Sequence, residues 1–314
     1  MNKMKAVRLH SYGDPNVLVY EEAPRPEPQA DEVLIRIHAA GVNPADWKIR
    51  QGYLKDSFPF AMPLILGYDL AGIVEAIGAQ VTDLNVGDAV YAMLPLHQLG
   101  AYAEYTIANA ALVAPKPQTV SFLIAAGIPS IALTAWQALF DLAQLQPEQT
   151  VLIHGASGGV GRFAVQFAKW KGAIAFGTAS SSSLEDLQKL GIDRAIDYQQ
   201  AQFEEWVADV DVVLDTVGGE TRKRSWQVLK PGGVLVSTEG AADPVIAPSE
   251  QVCGIPIFVT PKESTQLRQI GELIDQGIVH PPVVTGVALE SAVQVHTAIQ
   301  HERQRGKFVL QVNP

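Results

Sequence analysis

One cysteine in 314 residues, Cys253, sets the first limits. It allows no internal disulfide, and it excludes a structural zinc site built from four cysteines. A chain so poor in cysteine is expected in a reducing compartment. Positive charge is also scarce: 23 Lys and Arg stand against 33 Asp and Glu, giving a net charge of -10 and a pI near 5.2. A field of that sign repels phosphate backbones and anionic lipid, so neither nucleic acid nor a membrane surface is an expected partner. No uninterrupted apolar run of membrane length occurs. The most apolar window, FLIAAGIPSIALTAWQALFDLA (122–143), is interrupted by Pro129, Ser130, Thr134, Gln137 and Asp141 and reads as a buried helix. The N-terminal stretch MNKMKAVRLHSYGD has no apolar core of the secretory kind, so the expected location is the cytoplasm.

What is present is globular: 47% apolar residues, 18% charged, mean hydropathy +0.11. A chain of this length buries about three quarters of its unfolded surface and suggests two domains. Residues 1–120 read as β-rich, with short runs such as KAVRLH, EVLIRIHAAGV, LAGIVEAIG, DAVYAML and AYAEYTIA between Gly, Pro and Asp punctuation. PRPEP (24–28) is an extended linker. After about residue 122 strands alternate with helices: TVLIHGA, GVGRFAVQFAKWKG, AIAFGTA, SSLEDLQKLG, RAIDY, VDVVLDTVG, ETRKRSWQVLKPGG, VLVSTEG and GIPIFVT. Parallel strands need crossovers, so this order predicts an α/β protein with a doubly wound parallel sheet of six strands, a Rossmann domain. From about 261 the helix STQLRQIGELIDQG, the strand VVTGV, the helix SAVQVHTAIQHERQRG and the strand KFVLQV do not extend that series. They return to the first domain. The division is therefore 1–122 with 261–314, and 123–260.

The strongest motif is VLIHGASGGVGRFAVQFAK (151–169), an apolar strand running through a glycine turn into a helix. The strict G-x-G-x-x-G pattern falls on Ala156, Ser157, Gly158, Gly159, Val160 and Gly161, with Gly155 one residue earlier. Gly155 turns the chain, Gly158 lets the backbone approach a pyrophosphate, and Gly161 lets helix pack on strand. The helix start offers N–H groups and a positive dipole end to phosphate. The second strand ends Gly177-Thr178-Ala179-Ser180-Ser181 with no acid at its tip to claim a ribose 2′-hydroxyl or repel a 2′-phosphate. Ser180, Ser181 and Tyr198 supply hydrogen bonds, although no Arg or Lys stands at the tip. The balance favours NADPH over NADH. Ser182 with Glu185 also fits a helix capping box.

With these residues in view the chain resembles the medium-chain dehydrogenase/reductase superfamily, in its zinc-independent quinone oxidoreductase branch, which includes zeta-crystallin-like and alkenal/enone reductases. The resemblance runs through GVNPADWKIRQG (41–52), LGYDLAGIVEAIG (66–78), VGDAVYA (86–92), GAYAEYT (100–106), AAGIPSIALTAWQAL (125–139), the glycine turn, DVVLDTVGG (211–219), LKPGGVLVSTEG (229–240) and RGKFVLQV (305–312). It implies that the discontinuous domain is GroES-like and catalytic. Zinc-dependent relatives place a cysteine ligand at the position of Asn43 and His-Glu at Tyr68-Asp69, so no catalytic zinc is expected here. The seven histidines (His10, His38, His97, His154, His280, His296, His301) show no metal-ligand spacing and read as packed or surface residues.

The resemblance further implies that Asn43 lies near the nicotinamide ribose or substrate and Thr134 near the phosphate or nicotinamide. Val217 and Gly218 would line the adenosine side or ribose, Thr238, Phe258 and Val259 the nicotinamide end, and Lys307 would stand close to the cofactor. Lys48 occupies a position where quinone reductases of the branch often have tyrosine, and it is a candidate donor to a developing enolate oxygen. Leu184 replaces a lysine that some quinone reductases set near the 2′-phosphate, which weighs against NADPH. The expected function is an NADPH-dependent, zinc-independent reductase of quinones or α,β-unsaturated carbonyls. An enoyl-thioester reductase and a non-catalytic NADPH-binding protein are the alternatives. A homodimer joined through the apolar strand GIPIFVT, an edge of the nucleotide domain, is implied as well.

Overall fold

The computed structural model describes residues 2–239, 244–301 and 306–313, the side chain of His301 excepted. In chain order its elements are β1 (Lys3–Leu9), β2 (Leu18–Pro24), β3 (Glu32–Gly41), α1 (Pro44–Arg50), β4 (Leu64–Ile65), β5 (Asp69–Ile77), β6 (Ala89–Met93), β7 (Tyr105–Asn109), β8 (Val113–Pro115), α2 (Phe122–Ala126) and α3 (Pro129–Trp136). They continue with β9 (Thr150–His154), α4 (Gly159–Lys171), β10 (Ile174–Ala179), α5 (Leu184–Lys189), β11 (Arg194–Asp197), β12 (Val210–Asp215), α6 (Gly219–Ser225) and β13 (Leu229–Ser237). The last are β14 (Cys253–Pro256), α7 (Thr265–Asp275), β15 (Val284–Ala288), α8 (Ala292–His301) and β16 (Lys307–Gln311). Two compact units divide them. One holds residues 1–130, 260–276 and 281–314; the other holds 131–259 and 277–280.

The first unit is β-rich. Its larger sheet runs β15-β16-β3-β5-β6-β8, with β7 also on β3, and β2-β1-β4 make a smaller one. β3 is its spine. It pairs antiparallel with β5, β7 and β16, so Gly41 lies opposite Asp69 on one side and Val309 on the other. That register gathers the two ends of the sequence. Residues 39–43 and 307–311 are neighbours in space although more than two hundred positions apart.

The second unit is a six-stranded parallel sheet in the order β11-β10-β9-β12-β13-β14. This is the doubly wound dinucleotide order, in which the chain reverses direction between β9 and β12. β12 (VDVVLD) is buried at every position, as a central parallel strand covered on both faces must be. On one face Leu152, Ile196, Phe203, Val213 and Leu235 pack together. Elsewhere Phe167 of α4 meets Trp136 edge-on at 5.2 Å.

Four local expectations are corrected. The 122–143 window is not one helix: α2 stops before Gly127, α3 starts at Pro129, and a π-type turn spans Gln137–Leu142. Pro129 has no N–H to continue a helix entering from residue 125. ETRKRSWQVLKPGG is helical only through Ser225, with a 3-10 turn to Val228, and LKPGG already belongs to β13. The capping box of Ser182 and Glu185 does not form. Residues 181–183 make a 3-10 turn, α5 is capped at Ser183 without a side-chain bond, and Glu185 pairs with Lys189 at 2.8 Å. In GIPIFVT only Gly254–Pro256 belong to β14, which begins at Cys253. The helix expected over 291–306 is observed from Ala292 to His301, and its residues 302–305 lie outside the described residues, as does Arg305 of RGKFVLQV.

Candidate active site

Asn43 ends the turn after β3 and caps α1. The N–H of Asn43 donates to Asp46 Oδ2 at 2.7 Å, while Pro44 opens the helix without needing a hydrogen-bond acceptor. The side chain is buried and engaged at both ends. Its Nδ2 donates to Asp69 Oδ2 at 3.0 Å, and its Oδ1 accepts from Lys307 Nζ. Ser130 completes the group: its N–H donates to Asp69 Oδ1 at 3.0 Å, and its hydroxyl lies 2.5 Å from Asp69 Oδ2 and 2.8 Å from Asn43 Oδ1. Lys307 Nζ is 3.3 Å from Asp69 Oδ2, with the lysine side chain 8% exposed and the aspartate fully buried. The cluster therefore holds a cation fixed against an amide and a carboxylate out of water.

Asp46 lies beneath it. Its Oδ2 also accepts from Tyr102 Oη at 3.0 Å, and its Oδ1 is buried with no hydrogen-bond partner. Burial pushes the Asp46 carboxyl up to about 7, with Asp69 adding to the rise, while the Asn43 N–H, Tyr102 and Lys307 oppose it. Burial and the Asp46 and Asp69 carboxylates raise the Tyr68 phenol well above its ordinary range, so it stays protonated. Lys48 lies on the last turn of α1, half-buried, its carbonyl accepting from the Tyr53 N–H at 3.0 Å. The ammonium held against Asn43 and Asp69 is that of Lys307.

In the second unit the glycine turn follows β9. Gly155 has φ +68, a left-handed conformation, and a Cβ there would strike Thr216 Oγ1, which itself donates to the His154 carbonyl at 2.8 Å. A Cβ on Gly161 would run into the Gly155 carbonyl and come 2.6 Å from Ala156 Cα. Ala156 is fully buried, whereas Gly158 and Gly159 are exposed and Ser157 and Val160 are half-buried. Gly158 caps α4 with no side-chain bond, so the first N–H groups of a 13-residue helix carry no side-chain acceptor there. This is a cradle of main chain, shaped for an anion.

The other expected cofactor residues spread along the strand ends of this unit. Thr178 is buried and its Oγ1 lies 3.0 Å from His154 Nδ1. His154 Nε2 meets Ser225 Oγ at 2.9 Å; Ser225 gives its own proton to the Thr221 carbonyl, so His154 donates from Nε2 and accepts from Thr178. Burial lowers the pKa of His154 to about 4, leaving it neutral, a packed histidine as expected. Ser180 is half-buried and Ser181 exposed. The Ser181 hydroxyl donates to Asp197 Oδ2, an acid that the register of Ala179 opposite Asp197 brings to the tip of β10. The tip is therefore not free of acid, which corrects the sequence-based expectation. Tyr198 is 49% exposed, Val217 53% and Phe258 55%, large side chains turned to solvent just beyond the ends of β11, β12 and β14. Thr238 and Val259 are half-buried, Thr134 is buried in α3, and the Thr238 N–H donates to the Asp215 carbonyl at 3.0 Å.

Sequence reasoning does not single out Asp215, although a buried acid directly before a Thr-Val-Gly-Gly turn was the available signal. Its Oδ1 accepts the N–H groups of Val217 (3.0 Å) and Gly218 (2.8 Å), and its Oδ2 accepts from Ser237 (2.7 Å). It fixes the turn that carries Val217 and Gly218. Ser130 and Asp69 were missed as partners of Asn43 for a different reason, since nothing in their spacing ties them to residue 43 or 307.

Together these features define a two-part oxidoreductase architecture. Residues 29–118 match the alcohol dehydrogenase GroES-like domain family, and residues 190–310 match the zinc-binding dehydrogenase family. The chain is 32% identical to the quinone oxidoreductase of Mus musculus over 98% of its own length and 97% of the relative's. It is 35% identical to the chloroplastic NADPH-dependent alkenal/one oxidoreductase of Arabidopsis thaliana, over 90% of this chain and 72% of that one. The structure of the quinone oxidoreductase from Coxiella burnetii superposes with a TM-score of 0.91 at 32% identity, covering 99% of this chain and 100% of that one. The chain belongs to the medium-chain dehydrogenase/reductase superfamily, in the branch that holds the quinone and alkenal/enone oxidoreductases.

Proposed function

We propose that this chain is an NADPH-dependent reductase that delivers a hydride to a quinone or an α,β-unsaturated carbonyl without zinc. The observation that carries the reading is the buried Lys307 ammonium set against Asn43 and Asp69. These are positions at which zinc-dependent relatives are expected to hold metal. A zinc ion does not fit the donor set, because Asn43 Oδ1 and Asp69 Oδ2 already face a cation and Tyr68 stays a protonated phenol. Among the described residues no group of three or more His, Cys, Asp or Glu is placed to hold a metal ion.

NADPH suits the main-chain cradle at 155–161, where the close approach of strand and helix leaves no room for a Cβ at Gly155 or Gly161. When bound, the nicotinamide supplies the hydride. The chain's own residues bind and orient. The amides of Ser157 and of 159–161 meet the diphosphate, that of Gly158 being taken by the Gly155 carbonyl; Ser180, Ser181 and Tyr198 meet the ribose 2′-position; Val217 and Gly218, held by Asp215, meet the adenosine side. Thr134, Thr238, Phe258, Val259, Asn43 and Lys307 belong to the nicotinamide end. Conjugation spreads the negative charge that develops on the acceptor onto its oxygen, and a fixed cationic donor, Lys307 or Lys48, stabilises it. In this reading residues 123–260 bind coenzyme, 1–122 with 261–314 carry catalysis, and the protein is a cytoplasmic homodimer joined at the β14 edge.

The test is to follow oxidation of NADPH by the purified protein with a panel of quinones and enones. Turnover of at least one acceptor is expected, with NADPH preferred to NADH. Saturable NADPH binding without oxidation by any acceptor would overturn the reductase reading in favour of a binding protein.

A further inference from the structure

Among the buried polar side chains of the first unit with no part in the reading above are Arg50, Tyr102 and His296. They are joined end to end. The Arg50 guanidinium donates to the Gly13 carbonyl (3.1 Å), to Gln300 Oε1 (2.7 Å) and, from Nη1, toward His296 Nδ1 (3.4 Å). Arginine only donates, so Nδ1 accepts. Burial, with the Arg50 charge, lowers the pKa of His296 to about 3, leaving one ring proton, which must sit on Nε2. Nε2 faces Tyr102 Oη at 3.4 Å, and the two rings cross edge-on at 5.8 Å. The Tyr102 proton is thereby directed to Asp46 Oδ2 at 3.0 Å, the oxygen that also takes the Asn43 N–H.

We propose that Arg50, His296 and Tyr102 are positioning residues, a one-way hydrogen-bond relay that locks Asp46 as an acceptor and through it sets Asn43 against Lys307. The proposal rests on the reading of Asn43 and Lys307 as active-site groups. Arg50 anchors the direction. If His296 turned over, two donors would face each other, so each link fixes the next.

The lock matters because Asp46 titrates near neutrality, at about 7. The groups facing it are Tyr68 and Asp69 at the start of β5, Tyr102 before β7, and Lys307 on β16, with His296 of α8 and Arg50 of α1 behind Tyr102. Tyr102 favours the ionised carboxylate; without it the carboxyl holds its proton to higher pH. Activity that needs ionised Asp46 rises as pH climbs through its midpoint, so a raised midpoint moves that limb upward.

The variants are Tyr102→Phe, His296→Leu and His296→Gln, the last keeping one acceptor and one donor. Two measurements are made on each: the pH profile of NADPH-dependent enone reduction, and the infrared carbonyl band of a protonated buried carboxylic acid, assigned by its loss in Asp46→Asn. Tyr102→Phe is expected to move both midpoints up by about one pH unit. That lowers kcat about fivefold at pH 7 with recovery by pH 9, and leaves KM for NADPH unchanged. His296→Leu moves both the same way, and His296→Gln restores the native profile. A loss of equal size at every pH, or an infrared midpoint that stays in place in the variants that fold, overturns the relay. If no acceptor is reduced at all, the infrared shift still decides the relay, and only the functional reading falls.

Discussion

The two units build their candidate sites from different materials. In the second, the cradle at 155–161 is main chain: glycines, a reversed turn and a helix start with no side-chain cap. In the first, the cluster is side chain: Asn43 and Asp46 from the start of α1, Asp69 from β5, Ser130 from α3 and Lys307 from β16, buried with their charges. A backbone site is held by shape and is sensitive to added volume. A buried charged site is held by mutual compensation and is sensitive to the loss of a single partner. The two therefore break in different ways.

The largest expected effect is on the charged side. Lys307→Met removes the ammonium that faces the buried Asp69 side chain, to which Asn43 and Ser130 also donate. Breaking a buried pair by removing one partner costs about 3–5 kcal/mol, so the denaturation midpoint should fall accordingly. Lys48→Met, on the half-buried end of α1 and outside this cluster of buried charges, should cost less. Comparable losses from the two lysines, measured by denaturant unfolding, would show that the cluster is not held by compensation.

On the backbone side the expected cost is steric. Gly161→Ala drives a methyl group into the Gly155 carbonyl and the Ala156 backbone, neither of which can move aside as a side chain would. Overpacking of this kind costs about 1–3 kcal/mol. Opening the turn to relieve it should weaken NADPH binding in calorimetry. Gly159→Ala is the control for stability: the atoms nearest its methyl would be those of the Ile131 side chain, from 3.2 Å, which can shift, so stability should stay close to the parent. Equal losses in both variants would mean that the turn is not limited by close approach.

The same contrast explains what the sequence made legible. The cradle is contiguous, so strand, glycines and helix could be read together from VLIHGASGGVGRFAVQFAK, and a parallel sheet of six strands followed from the alternation of strands and helices. The cluster is not contiguous. Asn43, Asp69, Ser130 and Lys307 meet because β3 pairs with both β5 and β16, and no local periodicity encodes that register. Resemblance supplied Asn43 and Lys307 singly; it did not supply the bond between them. Gln137–Leu142 misled for another reason, because its apolar run fits an α-helix and a π-type turn equally well. Asp197 was overlooked because the search for an acid followed β10 to its tip, while parallel pairing delivers one from β11.

That acid yields the smallest expected effect and the finest test of how a backbone site is tuned by side chains. Asp197 accepts from Ser181 and, through Oδ1, from the Gln199 N–H at 3.0 Å, and these bonds hold its carboxyl below the usual aspartate range. A firmly ionised carboxylate therefore stands beside a serine assigned to the ribose 2′-position. Because Ser181 gives its proton to Asp197, it offers an incoming group mainly lone pairs, which a 2′-hydroxyl can use and a 2′-phosphate cannot. The carboxylate also repels that phosphate directly. Both effects act against NADPH, yet at a solvent-exposed site each is weakened by screening. Asp197→Asn should accordingly tighten NADPH binding by about two- to fivefold at low salt and leave NADH binding nearly unchanged. The gain should shrink as salt is added. An equal change for both coenzymes would place the 2′-position elsewhere and detach Ser181 from the coenzyme altogether.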